Sequence, residues 1–310
     1  MASVLDSVDQ RTKLVGENRL ELLLFKLGMR QIFAINVFKI QEVLKLPNLT
    51  QMPHRHPVVC GVSHIRDTTV PVINLSQAIG FRPLQPDKDS TIIVTEYNRT
   101  VQAFLVASVD RIVNMTWEQI LPPPKGAGGS HYVTAITHYN DQIVEIIDVE
   151  RVLADIRPYS TDVSDTALTE SIRKVAQGKE VLLVDDSPVA ISQAIGTLQK
   201  VGLKVITARN GLEAYNLLKK WADEGVNVPE KLLMVVTDAE MPAMDGYRLT
   251  TEIRNDPRLK DLYVVLHTSL SGSFNKAMVE KVGCNNFLSK FQPDELAALV
   301  QSRLNSLAAR

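Results

Sequence analysis

The sequence predicts two folded parts of different class: an all-β N-terminal half, then an α/β half built on a doubly wound parallel sheet. Three observations carry this. The 310 residues are enough for two ordinary domains. Up to about Arg157, short alternating runs are separated by turn residues, the texture of a sandwich or barrel. From Lys179 the period changes, and strand-like apolar runs alternate with helical patterns in a (βα)5 order, the texture of an open parallel sheet.

In the N-terminal half the runs are Leu20–Leu27, Gln31–Val37, Val70–Leu75, Thr91–Glu96, Val101–Ser108 and Gln142–Asp148. Gly28-Met29-Arg30, Pro47-Asn48, Arg82-Pro83, Asn98-Arg99 and Asn140-Asp141 punctuate them as turns. Helical spacing is confined to short pieces near Leu75–Ile79 and Glu150–Asp155. Ser160–Thr166 is small, polar and turn-prone, which predicts a linker. Ala167–Gln177 places Leu168, Ile172, Val175 and Ala176 at helical spacing, with Gly178 set to end the helix. Beyond it, strand-like Glu180–Val184, Lys204–Ala208, Leu232–Thr237, Tyr263–Thr268 and Asn286–Lys290 are followed by helical Pro188–Val201, Gly211–Trp221, Gly246–Asn255, Phe274–Val282 and Pro293–Leu307. The domain boundaries drawn from this are 17–157, a linker and connecting helix over 158–178, and 179–310.

Composition excludes several classes. The net charge is −1, and the part from Lys179 onward holds 16 basic and 16 acidic residues, so neither half has the basic excess that nucleic-acid binding requires. With about one helix after Lys290, no further DNA-binding module is expected. No apolar run approaches the ~20 residues needed to span a bilayer, so no membrane insertion is expected. Met1–Lys13 lacks the apolar centre of a signal peptide. Cys60 and Cys284 are too few for a disulfide framework. A cytoplasmic protein is expected.

The chemistry sits in five fragments: V-L-L-V-D-D-S-P at Val181–Pro188, V-V-T-D-A-E-M-P at Val235–Pro242, M-D-G at Met244–Gly246, V-V-L-H-T-S at Val264–Ser269 and F-L-S-K at Phe287–Lys290. Four of these put charged or hydroxyl residues just past a strand-like run, and parallel strands bring such ends together. Asp185, Asp186, Asp238, Thr268 and Lys290 are therefore expected in one cleft. Three clustered carboxylates repel, and a hard divalent cation, Mg2+, resolves the conflict. One carboxylate can then attack a phosphoryl group, whose oxygens need a cation such as Lys290 and donors such as Thr268. Taken singly, an Asp pair at a strand end is more often a solvated turn, and a Lys there is ordinary surface. All five in order at strand ends of one sheet are not explained that way.

Residues from about Lys179 to Arg310 resemble a flavodoxin-like receiver domain of two-component signalling. The resemblance implies Asp238 as phosphoacceptor, with Asp185, Asp186, Asp238 and the backbone carbonyl of Glu240 as Mg2+ ligands. It also implies Thr268 and Lys290 as the partners of the phosphoryl group, and Thr268 with Phe287 as a switch pair. On that reading an inward movement of Thr268 and Phe287 alters Phe274–Val282, and the Ala167–Gln177 helix senses the change. Receivers usually follow the Lys with a cis Pro; here Phe291 stands there. A non-proline cis bond costs ~3–4 kcal/mol, so a trans or differently shaped loop is expected. Trp221–Lys231 is long for the family and reads as a surface insertion.

The N-terminal half offers no catalytic constellation. His54-Arg55-His56 lacks a third ligand nearby, and Pro122–Ser130 does not have the Gly and Lys order of a phosphate-binding loop. Phe33–Val43, Val59–Leu75 and Ile143–Leu153 are similar to the CheW family of coupling proteins. This implies two small five-stranded barrels joining chemoreceptor tips to the histidine kinase CheA, with partner contacts near Ile40 and Arg66. A coupling domain followed by a receiver is the layout of the CheV family. The resemblance implies a non-enzymatic adaptor at chemoreceptor arrays, phosphorylated on Asp238 by CheA and catalysing only its own phosphotransfer and autodephosphorylation. A rival is a phosphate sink with no regulated coupling. A remoter one is an Asp-nucleophile phosphatase, which would need a second Asp where Glu240 stands.

Overall fold

The computed structural model describes residues 19–87, 90–97, 100–123, 132–156, 176–268, 282–290 and 292–308. Two compact units emerge, one within 19–156 and one within 176–308 of these residues.

The first unit is two five-stranded sheets. One runs in the order β8-β1-β2-β10-β9 and the other β3-β6-β7-β5-β4. The strands are β1 (Arg19–Lys26), β2 (Ile32–Asn36), β3 (Ile40–Lys45), β4 (Val59–Ile65), β5 (Thr68–Asn74), β6 (Thr91–Tyr97), β7 (Thr100–Val106), β8 (Ser108–Thr116), β9 (Val133–Tyr139) and β10 (Gln142–Ile147). Two helices accompany them, α1 (Leu75–Ala78) and α2 (Val149–Ile156), and a 3-10 turn, Val37–Lys39, joins β2 to β3. Pairing is antiparallel except for β2 with β10 and β5 with β7. Each sheet curls toward closure: Thr50, beyond β3, bridges Val62 on β4, and Leu121, beyond β8, bridges Ile136 on β9. Asn140 and Asp141 both have positive φ, 49° and 59°, the two-residue turn whose twist suits the β9–β10 hairpin.

Strands β1 and β2 are apolar on both faces. Leu22, Leu24, Ile32 and Ala34 join Val113, Met115, Val144 and Ile146 in one core. Leu23, Phe25, Phe33 and Ile35 alternate with them and are buried too. Phe25 stacks on Phe33 at 6.0 Å, and Phe33 meets Phe81 of the second sheet's α1 exit at 6.1 Å. The two sheets thus share a wall.

The second unit is a five-stranded parallel sheet in the order β12-β11-β13-β14-β15. Its elements are β11 (Glu180–Val184), α3 (Pro188–Val201), β12 (Lys204–Ala208), α4 (Gly211–Asp223), α5 (Val228–Lys231), β13 (Leu232–Thr237), α6 (Gly246–Asn255), β14 (Val264–Thr268), β15 (Asn286–Ser289) and α7 (Pro293–Ala308). Apolar cores lie on both faces, one around Val181, Leu183, Leu198 and Val300, the other around Leu182, Val184, Leu218 and Leu249. Ser187, Asn210 and Asp245 cap α3, α4 and α6 through their side chains, satisfying amides that a helix start leaves unpaired.

The Trp221–Lys231 segment is more than a surface insertion. Val228 is buried in the second core, and Lys231 sits 5.0 Å over the Trp221 ring while pairing with Glu180 at 2.6 Å. The predicted helix Phe274–Val282 lies outside the described residues up to Val282, and Ala167–Gln177 lies outside them up to Ala176. Ala176 itself is buried in the core of the second unit.

Candidate functional site

Every strand of the second sheet points its carboxyl end to one edge, and the order reverses between β11 and β13. Ligands bind at such a reversal in open α/β sheets. Asp185 follows β11 directly. Its amide donates to the Ala208 carbonyl (3.1 Å), and its Oδ1 accepts from the Ser187 amide (2.9 Å). Asp238 follows β13, with its amide donating to the Val184 carbonyl at 2.7 Å. The Thr237 hydroxyl donates to the Asp238 carbonyl (3.0 Å), and Asp238 Oδ1 accepts from the Ala239 amide (2.7 Å).

Lys290 closes the cluster. Its amide donates to the Thr268 carbonyl at 2.9 Å, which fixes it at the exit of β15. Its ammonium lies 2.9 Å from Asp185 Oδ2 and 2.8 Å from Asp238 Oδ2. Lys290 and Asp185 are each only 1% exposed, and Thr268 is buried beside them. A buried charge is tolerated when paired and hydrogen-bonded, and this one has two carboxylates. Asp185, Asp186 and Asp238 present carboxylate oxygens all within 4.8 Å of one another, the one group of three potential metal-ligating side chains among the described residues. An all-oxygen donor set of this kind suits a hard divalent cation.

The loop after Asp238 is braced from below. A Cβ on Gly246 would lie 2.0 Å from the Asp238 carbonyl oxygen, so only glycine permits this approach of α6 to the strand end. Gly246 donates to the Ala239 carbonyl at 3.1 Å, and Gly211, opening α4, donates to the Met244 carbonyl at 2.9 Å. A Cβ on Gly211 would come within 2.6 Å of that same Met244 oxygen. Ala243 holds a left-handed φ of 66° between them. Burial pushes the Tyr247 phenol and the Asp245 carboxyl above their usual ranges, and drives the Cys284 thiol up to about 11.

The sequence-predicted residues Asp185, Asp186, Asp238, Thr268 and Lys290 come together. Glu240 is half-buried on the loop two residues past Asp238. Phe287 is half-buried against Ala239, Tyr247 and Leu266, the second residue of β15 and three before Lys290. Phe291 lies outside the described residues. The sequence singles out Gly246 within M-D-G but not its bracing contact, and it misses Gly211, for which the Asn210-Gly211 dipeptide was the available signal.

In the first unit, Ile40 opens β3 and pairs with Thr95 of β6. Arg66 sits on the β4–β5 turn with φ 52° and pairs with Glu42 of β3 at 3.0 Å. The two predicted contact residues therefore border the same edge strand. His54 and His56 are exposed on a loop, and most of Pro122–Ser130 lies outside the described residues.

Three carboxylates and a buried lysine at the edge of a 2-1-3-4-5 parallel sheet thus share one chain with a unit of two five-stranded sheets. The comparisons agree. The CheW-like domain matches residues 21–157, and the response regulator receiver domain matches residues 181–301. Chemotaxis protein CheV1 of Helicobacter pylori is 30% identical over 323 residues, covering 98% of this chain and 99% of the relative. CheV3 of the same organism is 29% identical over 307 residues, covering 94% and 96%. The crystal structure of the scaffolding protein TtCheW from Thermoanaerobacter tengcongensis is 25% identical over 42% of this chain and 88% of its own, with a TM-score of 0.39. This chain belongs to the CheV family of chemotaxis proteins, and it is a chemotaxis adaptor. No helix among the described residues is long and apolar enough to cross a membrane.

Proposed function

We propose that this adaptor couples chemoreceptor cytoplasmic tips to the histidine kinase CheA through its first unit, with coupling modulated by phosphorylation of Asp238. The supporting observation is the buried Lys290 ammonium, 2.9 Å from Asp185 and 2.8 Å from Asp238. It marks the one place in the described chain where a dianionic group could be received beside a nucleophilic carboxylate.

The donor on this reading is phosphohistidine of the kinase. An Asp238 oxygen forms the new P–O bond while the N–P bond breaks, and the bonding pair returns to the imidazole nitrogen. Lys290 then pairs with phosphoryl oxygens and Thr268 donates its hydroxyl to them. Asp185, Asp186, Asp238 and the Glu240 carbonyl would hold Mg2+, which would offset the carboxylate repulsion and the charge on the transferring group. Water attack on the acyl phosphate would release inorganic phosphate and restore the carboxylate. Thr268 and Phe287 form the switch, and Ile40 and Arg66 border the partner surface. The boundaries 17–157, 158–178 and 179–310, and a place at cytoplasmic receptor arrays, belong to the same reading.

Transfer from purified phospho-CheA tests it. The wild type should take label in a magnesium-dependent manner, and Asp238→Asn should stay at background. Comparable labelling of Asp238→Asn, or transfer undiminished by a chelator, would overturn the assignment. If an Asp238→Ala protein leaves receptor-coupled kinase activity unaltered, the receiver is a phosphate sink instead.

A further inference from the structure

Among the described residues of the first unit, Glu150 is the one buried charged residue, at 7% exposure. It sits in the first turn of α2, and its Oε1 lies 2.9 Å from the ammonium of Lys39. The two residues are 111 positions apart. Lys39 ends the 3-10 turn after β2, and the next residue is Ile40, the start of β3. The β3–β6 ladder is irregular between Ile40 and Glu42, so the sheet alone constrains this end of β3 less than the rest. Beyond Glu42 the pairing runs regularly through Lys45.

The other end of the pair is where the chain leaves the unit. Helix α2 is seated by buried Val149, Val152 and Leu153, and Tyr132 donates to Asp155 at 2.9 Å near its last turn. In chain order, α2 is the last described element of the first unit before the C-terminal unit begins.

We propose that the Lys39–Glu150 ion pair positions the start of β3 and ties that position to the seating of α2. The pair is then a positioning contact through which the state of the receiver biases the partner-binding edge. The physical basis is the burial of Glu150. If α2 shifts alone, its carboxylate parts from the Lys39 ammonium inside the protein, which costs more than parting a surface pair. Movement of α2 and movement of the Lys39–Ile40 step are therefore favoured together. The second half of this inference rests on the regulated-coupling reading above.

Hydrogen exchange of the full-length chain is the first arm, on wild type, Glu150→Gln, Lys39→Met and the double variant. Lys39 is partly exposed, so its substitution keeps the test open should Glu150→Gln fold poorly. Each single variant should speed exchange over residues 37–45 by about tenfold or more, as removal of one partner of a buried pair requires. Residues 101–106 of β7 should be unchanged, and the double variant should match the singles rather than multiply them. Unaltered exchange over 37–45, or multiplicative effects, would overturn the positioning role. The second arm measures affinity for CheA with and without beryllofluoride. A wild-type response that is lost in Lys39→Met supports the coupling, and an equal response in both overturns it. No response in wild type would sink the regulated-coupling reading and the link to the receiver, while the exchange arm still decides whether the pair positions β3.

Discussion

The two units place buried charge in opposite ways. The receiver unit gathers Asp185, Asp238 and Lys290 at the ends of parallel strands, each under 10% exposed. The coupling unit confines charge almost wholly to its surface and reads as two apolar interiors with polar edges. The contrast follows from sheet type. Parallel strands buried on both faces have only their ends at which to present polar groups. Curled, mostly antiparallel sheets leave outward faces and edge strands available instead. Buried charge therefore gathers at points in one unit, and charged groups lie along faces and edges in the other.

This contrast can be broken by matched substitutions. Lys290→Met strips two buried carboxylates of their cation and should cost about 3–5 kcal/mol, read as an earlier receiver transition in denaturant. Phe33→Ala, at a fully buried ring, should cost a similar ~3–5 kcal/mol through the cavity it leaves. The expected difference is functional: Phe33→Ala leaves labelling of Asp238 by a small phosphodonor intact, whereas Lys290→Met loses it. Equal loss of labelling in both would mean the units are not separable.

Gly246→Ala should come next. Its Cβ would fall 2.0 Å from the Asp238 carbonyl oxygen, and relieving such overpacking costs about 1–3 kcal/mol. Gly196, with open space around its would-be Cβ, should gain about 0.5–1 kcal/mol on the same change within its helix. Urea midpoints for the two variants should move in opposite directions.

The units also carry one cysteine each. Burial raises both thiols, that of Cys284 to about 11, while Arg55 opposes the rise at Cys60. At pH 8 about one Cys284 in a thousand would be thiolate, so alkylation of the folded chain should modify Cys60 first. Because the folded value for Cys284 exceeds the unfolded one, its contribution to stability is complete below pH 9 and fades as pH rises through 11. An alkaline stability series on Cys284→Ser should show a shallower decline. The smallest stability change belongs to Arg66→Ala, since exposed ion pairs are worth about 0–1 kcal/mol. Its effect should appear in affinity for the partner, measured by titration calorimetry.

Legibility in the sequence followed the same divide. Strands β11, β12 and β13 and helices α3 and α6 have the boundaries read from the sequence; β11 and β13, inside the sheet, are apolar runs buried almost throughout, while the edge strand β12 is marked by the turn residues beside it. The convergence of Asp185, Asp186, Asp238, Thr268 and Lys290 was legible because each ends or follows a strand-like run. In the coupling unit, β8 opens with Ser108-Val109-Asp110-Arg111 and turns only Val113 and Met115 inward, so its alternation is weak. β3 and β9 bury one side partially and emerged only through family likeness or not at all. Contacts between residues far apart in the chain, such as the Lys39–Glu150 ion pair, depend on how loops return and have no local pattern to betray them.

Strands β1 and β2 form the wall that the two sheets share. A strand whose two faces belong to two cores cannot be donated to one of them. Neither barrel of the coupling unit can be excised, swapped or loosened without unroofing the other, so the unit should melt as a single cooperative block despite its two separate sheets. Recombination that shuffles coupling modules among signalling proteins would have to cut outside both barrels, and chimaeras spliced between β3 and β8 should fail at folding before any question of partner choice arises.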